Sequence, residues 1–189
     1  NNLQEAIEVY MGEIVGESVF ERFGLSFPLL LKTLHCKDKT SVQVHPDDEL
    51  AAERHDSCCK TEMWYVVSAE PDAMLYIGFK DTNITREQYI DAVAMGTVAD
   101  IIEPVSVKAG DAFIIPSGTV HSISGGVTLI EFHQPVDLTY RIFDWNRVDS
   151  NGNSRELHTA YAVDAIDFSS NVANCRLNYK IRTNQAVEI

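Results

Sequence analysis

The spacing of apolar residues divides the chain into a short helical start and a long stretch dominated by strands. Leu3, Ala6, Ile7 and Tyr10 recur at helical intervals, and Val19, Phe20 and Phe23 continue in a second short helix ending at Gly24. Both are predicted to face the core and to carry no chemistry. From Pro28 the period becomes that of strands, through LLLKTLHC, SVQVH, TEMWYVV and AMLYIGF. Pro46 closes SVQVH, and PDDELAAER carries its acids where a helix N-terminus prefers them. TREQYIDAVAMGTVADII is the best amphipathic helical stretch, with Thr85 or Asn83 to cap it and Gly96 interrupting it. Strands resume in PVSVKAG, DAFIIP, VTLIEFHQ and LTYRIFDW. Short strands separated by Gly, Pro and Asp turns predict a mainly β fold, a sandwich or jelly-roll barrel with inserted α-helices. The expected plan is one domain over 1–189: a helical lead-in at 1–24, the barrel at 25–150 and a C-terminal extension at 151–189.

One strand breaks the usual rule. In SVQVH the polar residues Ser41, Gln43 and His45 share one face, with Val42 and Val44 on the other. An unpaired buried polar group costs roughly 1–3 kcal/mol, so such a face needs water or something polar to hold. A metal ion would satisfy it, and Glu62 in TEMWYVV offers an anionic oxygen to the same point. GDAFIIPSGTVH, from Gly110 to His121, supplies another candidate. Its spacing, G-x5-P-x-G-x2-H, is similar to the second motif of the cupin barrels, in which the glycines and proline fix where the histidine points. The His-x-His pair of a cupin's first motif falls here to Gln43-x-His45, and the first motif's Glu to Glu62 beyond a helical insert.

Composition narrows the partners. The formal net charge of −13, without a cluster of Lys and Arg, argues against a nucleic-acid surface. The longest early apolar run, FPLLL, is far too short to cross a bilayer, and the start lacks the basic and apolar regions of a signal peptide. A cytoplasmic location and no membrane partner are expected. Cys36, Cys58, Cys59 and Cys175 show no CxxC spacing, and the adjacent pair is expected to be reduced thiols. The chain opens without Met and closes on the polar tail NYKIRTNQAVEI, which reads as a fragment.

Further candidates cluster around the polar strands. In VTLIEFHQ, Leu129, Glu131 and His133 alternate with Ile130 and Phe132, so Glu131 on an inward face could serve as general base beside a metal. Lys60 precedes Glu62 by two residues and shares its face. Arg141, in TYRIFDW, carries a guanidinium fork suited to phosphate, and Arg147 is a weaker candidate for the same task. Trp64 and Tyr65 read as core aromatics, and His35, His55, His133 and His158 as structural.

QVHPDD, KTEMWY, the cupin-like second motif and YRIFDWNR together resemble the zinc-dependent type I mannose-6-phosphate isomerases, in particular their short bacterial form. The resemblance runs from LQEAIEVY to NRVDSNGNSRELH. It implies zinc held by Gln43, His45, Glu62 and His121. It also implies a sugar-phosphate pocket lined by Lys60, Glu131, Asp137 and Arg141, with Ser41, Lys60 and Arg141 on the substrate. The implied reaction interconverts mannose 6-phosphate and fructose 6-phosphate through an enediol, with Glu131 and Lys60 moving protons and Arg141 and Asp137 positioning the sugar. The family's N-terminal Trp-Gly strands and C-terminal β-domain are expected to be missing. Their loss would expose sheet edges and favour a homodimer. The alternative function is a metal-binding cupin that binds or senses a sugar phosphate without converting it.

Overall fold

The computed structural model describes residues 2–179. Among them, nine strands build two antiparallel sheets. The chain starts with α1 (Leu3–Tyr10), α2 (Gly12–Val15) and α3 (Glu17–Phe23), followed by β1 (Leu30–Cys36) and β2 (Val42–Val44). Then come α4 (Asp48–His55), β3 (Glu62–Ala69), β4 (Met74–Phe79), α5 (Arg86–Ala94) and α6 (Val98–Ile101). Five strands follow: β5 (Ile102–Ser106), β6 (Ala112–Ile115), β7 (His121–Ile123), β8 (Val127–His133) and β9 (Tyr140–Phe143). Two short helices, α7 (Thr159–Ala165) and α8 (Val172–Cys175), close the described chain.

One sheet has the order β1-β8-β3-β6 and the other β5-β4-β7-β2-β9. Trp64 and Val66 of β3, Phe113 and Ile115 of β6 and Leu129 of β8 pack against Leu75 and Ile77 of β4, so the main core lies between the sheets. A second core covers the other face of the five-stranded sheet. There Val42, Val44, Tyr140 and Ile142 meet Tyr89 of α5 and Ala162 and Ala165 of α7. This arrangement explains the odd pattern of SVQVH. Its valines are fully buried beneath helices, which turns Gln43 and His45 toward the space between the sheets.

Local signals set the insertions. Asp47 caps α4 by accepting from the Leu50 N–H, and Thr85 with Gln88 forms a capping box at the start of α5. Of the two expected caps for α5, Thr85 is the one used. Gly96 has φ of 69° and breaks the predicted long helix into α5 and α6. Pro104 sits in β5, an edge strand, where a missing N–H is tolerated.

The N-terminal helices correct one expectation. Of the residues predicted to face the core, only Ile7 is buried, while Leu3 is 50% and Tyr10 54% exposed. The three helices are short, are separated by Met11 and Gly16 at positive φ, and pack against one another. A helix of one or two turns has too narrow a stripe to reach both its neighbours and the sheets. Residues 180–189, most of the polar tail, lie outside the described residues. No helix among the described residues is long and apolar enough to cross a membrane.

Candidate functional site

The two sheets deliver their polar residues to one place. β2 and β7 pair so that Gln43 lies opposite His121, and on the other side of β2 Gln43 lies opposite Arg141. The facing sheet contributes a second row, because Trp64 of β3 and Lys32 of β1 both register with Glu131 of β8. These chemical neighbours are far apart in sequence and meet only through strand register.

His45, Glu62 and His121 are each about 1% exposed, and their ligand atoms lie within 4.8 Å of one another. Both imidazoles are oriented from behind. His45 Nδ1 donates to the Leu138 carbonyl and His121 Nδ1 to the Thr119 carbonyl, each at 2.8 Å. A carbonyl only accepts, so the proton of each neutral ring sits on Nδ1, and Nε2 presents a lone pair inward. His45 Nε2 is 3.1 Å from Glu62 Oε1, and His121 Nε2 is 3.8 Å from Glu62 Oε2. Two lone pairs and a carboxylate facing one another form a group that could hold a cation. The donor set of imidazole nitrogen and carboxylate oxygen suits zinc, and the tautomers are those a metal needs.

Gln43 stands beside this group. Its Nε2 donates to His121 Nε2 at 3.1 Å and its Oε1 accepts from the Ser41 hydroxyl at 3.3 Å. A half-turn of the amide exchanges these atoms and brings the oxygen to the cluster. Lys60 Nζ lies 2.7 Å from Glu62 Oε1 and supplies a positive charge at the same carboxylate.

Protonation follows this arrangement. Burial pushes Glu62 up, but in the acid range where it titrates the hydrogen bond from a protonated His45 and the charges of protonated His121 and of Lys60 outweigh it and hold the carboxyl well below its ordinary value. Burial drives His121 down to about 4, against the pull of Glu62, so this imidazole is neutral at pH 7. Glu131 moves the other way. Burial raises it first and the Glu62 charge second, with Lys60, Lys32 and Trp64 opposing.

A cavity of about 520 Å³ opens over the cluster. Lys60, Glu62, Trp64 and Glu131 line its wall, while Ser41, Gln43 and His121 reach it from the opposite sheet. Asp137 stands exposed at its rim. Arg141 also lines it, with Nη1 donating to the Glu156 carbonyl at 2.7 Å and Nε buried without a partner among the described residues. Every residue singled out from the sequence for metal, substrate or proton transfer therefore borders one cavity or the ligand cluster beneath it.

The sequence reading missed four contributors. Lys32 lies 3.5 Å from Glu131 Oε1, and Trp64, read as a core aromatic, donates its indole N–H to both Glu62 and Glu131. His133 stands 3.3 Å from Glu131 Oε1. Asp144, 5% exposed, binds both Arg147 and Arg155, whose guanidinium groups border the cavity. Alternation in VTLIEFHQ already put His133 on the face of Glu131, and that was the one available signal. His35, His55 and His158 instead bond to Thr128, Tyr140 and the Arg141 backbone N–H. All four cysteines are free thiols.

Comparison with known proteins gives this geometry a family. Residues 1–73 match the model for "Phosphomannose isomerase type I, catalytic domain". The chain is 40% identical over 150 residues to the mannose-6-phosphate isomerase of Streptococcus mutans, an alignment covering 77% of this chain and 47% of that protein. The chain is a relative of the type I phosphomannose isomerases. Mannose-6-phosphate isomerase ManA of Bacillus subtilis is 39% identical over 148 residues, covering 78% of this chain and 46% of that one. The crystal structure of the mannose 6-phosphate isomerase from Bacillus subtilis superposes with a TM-score of 0.73 at 35% identity, over 84% of this chain and 51% of that one. A putative mannosephosphate isomerase from Archaeoglobus fulgidus shares the fold at a TM-score of 0.73 and 18% identity, over 92% of this chain and 53% of that one. The mainly β, cupin-type architecture expected from the sequence is thus the family's. The chain spans about half the length of the curated relatives it matches.

Proposed function

We propose that the chain carries the catalytic centre of a zinc-dependent aldose-ketose isomerase that interconverts mannose 6-phosphate and fructose 6-phosphate. The observation that carries this reading is the juxtaposition of a cluster able to hold a cation, His45, Glu62 and His121, with a buried carboxyl of raised proton affinity, Glu131, on one cavity.

Gln43, His45, Glu62 and His121 would hold the ion. When bound, zinc supplies a Lewis acid for the oxygens of the open-chain sugar. Glu131 removes the proton from C2 of the aldose and returns it to C1, which converts the aldehyde to the ketone through an enediol. Its raised proton affinity brings it closer to neutrality, as a group that must both take and release a proton requires. Lys60 hydrogen-bonds the sugar oxygens and carries the proton between O1 and O2. No electrons leave the substrate, so no redox partner is needed.

The walls also suit an anionic ligand despite the acidic chain. Lys37, Lys39, Arg141, Arg147 and Arg155 border the cavity, and Asp144 neutralises only one charge of the Arg147 and Arg155 pair. These cations would meet the phosphate at the open side, while Arg141 and Asp137 fix the sugar chain and Ser41 contacts its oxygens.

The test is a coupled assay for fructose 6-phosphate formed from mannose 6-phosphate. Activity should vanish on chelation and return with zinc. Sugar-phosphate binding without turnover by zinc-loaded protein would replace the isomerase with a binding cupin.

A further inference from the structure

We propose that His133 is a positioning residue for Glu131, holding its carboxyl through a hydrogen shared between His133 Nε2 and Glu131 Oε1. This inference rests on the assignment of Glu131 above as the group that moves the carbon-bound proton.

The argument begins with the ring's far side. His133 is 2% exposed, and its Nδ1 lies 2.5 Å from the carbonyl oxygen of Gln134. That oxygen can only accept, so Nδ1 carries a proton in every form of the ring that makes this bond. Nε2 then faces Glu131 Oε1 at 3.3 Å and has no hydrogen-bond partner among the described residues. A bare lone pair against a carboxylate oxygen, both buried, repels. One hydrogen placed between them removes that repulsion, whichever atom it is nearer. Lys32 Nζ, 3.5 Å from the same oxygen, and the charges of Lys60 and Glu62 complete the surroundings.

The geometry separates the two roles. Lys32, Trp64 and Glu131 line the cavity, whereas His133 does not and reaches substrate only through Glu131. Trp64 Nε1 holds Glu131 Oε2 at 3.2 Å, so His133 and Trp64 grip opposite oxygens and fix the plane of the carboxyl. A base that must serve two adjacent carbons gains from such a fixed plane.

The experiment has a spectroscopic and a kinetic arm, both on the zinc-loaded chain. Long-range proton–nitrogen NMR spectra should show His133 with Nδ1 protonated and with Nε2 displaced toward a protonated position, and Glu131→Leu should return Nε2 to that of a bare acceptor. An Nε2 resonance indifferent to Glu131→Leu overturns the proposal. In the kinetic arm, His133→Phe should lower kcat by about 10- to 100-fold, the usual range for an orienting partner, with KM unchanged. His133→Gln, whose amide can still donate to Oε1, should recover most of that loss. In a Glu131→Gln background His133→Phe should cost nothing more, and an equal loss in both backgrounds would overturn the proposal. If the wild-type chain converts no sugar phosphate, the isomerase reading fails, and the NMR arm still decides whether His133 holds Glu131.

Discussion

Glu62 and Glu131 are tied to a single indole, since Trp64 Nε1 donates to Glu62 Oε2 at 2.9 Å and to Glu131 Oε2 at 3.2 Å. The carboxylate proposed to hold a cation and the carboxyl proposed to move a proton therefore share one donor. Trp64→Phe keeps the ring and removes the bridge. The expected cost is roughly 1–3 kcal/mol from buried oxygens left without a donor, read as a lower urea midpoint at unchanged slope. Activity should fall more than stability, because Glu131 loses one of its anchors.

Glu62 is the anionic member of the ligand cluster. Glu62→Gln should weaken zinc binding by more than about 100-fold, beyond the usual loss for an outer partner, as measured by competition with a chelator. Lys60, which now contacts Glu62 at 2.7 Å, would be left beside an uncharged amide. Zinc binding as tight as in the wild type would remove Glu62 from the site.

Gly118 controls the direction of His121. Its φ is 85°, its N–H donates to the His45 carbonyl at 2.8 Å, and an added Cβ would lie 3.0 Å from Asp167 Cβ. Gly118→Ala should cost roughly 1–3 kcal/mol in backbone strain and crowding, seen as a lower melting temperature. Because the two histidines proposed to hold zinc flank this turn, zinc affinity should fall as well.

Asp144 supplies the pH dependence. Burial raises its proton affinity, but hydrogen bonds from Arg155 and Arg147 outweigh that and leave it below the ordinary aspartate value. A carboxyl lowered on folding stabilises the protein above its unfolded pKa, about 3.9, and loses that contribution as pH falls through the lower folded value. The melting temperatures of the wild type and Asp144→Asn should therefore differ at neutral pH and converge in acid below about pH 4. A gap that persists unchanged into acid would contradict the ion pairs.

Alternation and turn chemistry made most of the sheets legible. The strands of SVQVH, TEMWYVV and VTLIEFHQ lie where their apolar period put them, and His45, Glu62 and His121 come together from three of the segments singled out. Three features escaped for physical reasons. Trp64 has an apolar body suited to a core, and only the register of β3 against β8 shows its N–H between two carboxylates. His133 looked structural because its meaning depends on which ring nitrogen faces Glu131, and the Gln134 carbonyl decides that. Leu3, Tyr10 and Phe23 have helical spacing without burial, since local period reports a face but not what lies against it.

The most direct test of the account is to follow mannose 6-phosphate in D2O by proton NMR, using the zinc-loaded chain and its Glu131→Gln variant. The wild type should produce fructose 6-phosphate with partial deuterium at the transferred position, and the variant should slow both signals by about 10²- to 10⁴-fold, the share of a positioned base. Turnover at the wild-type rate by Glu131→Gln would contradict the account.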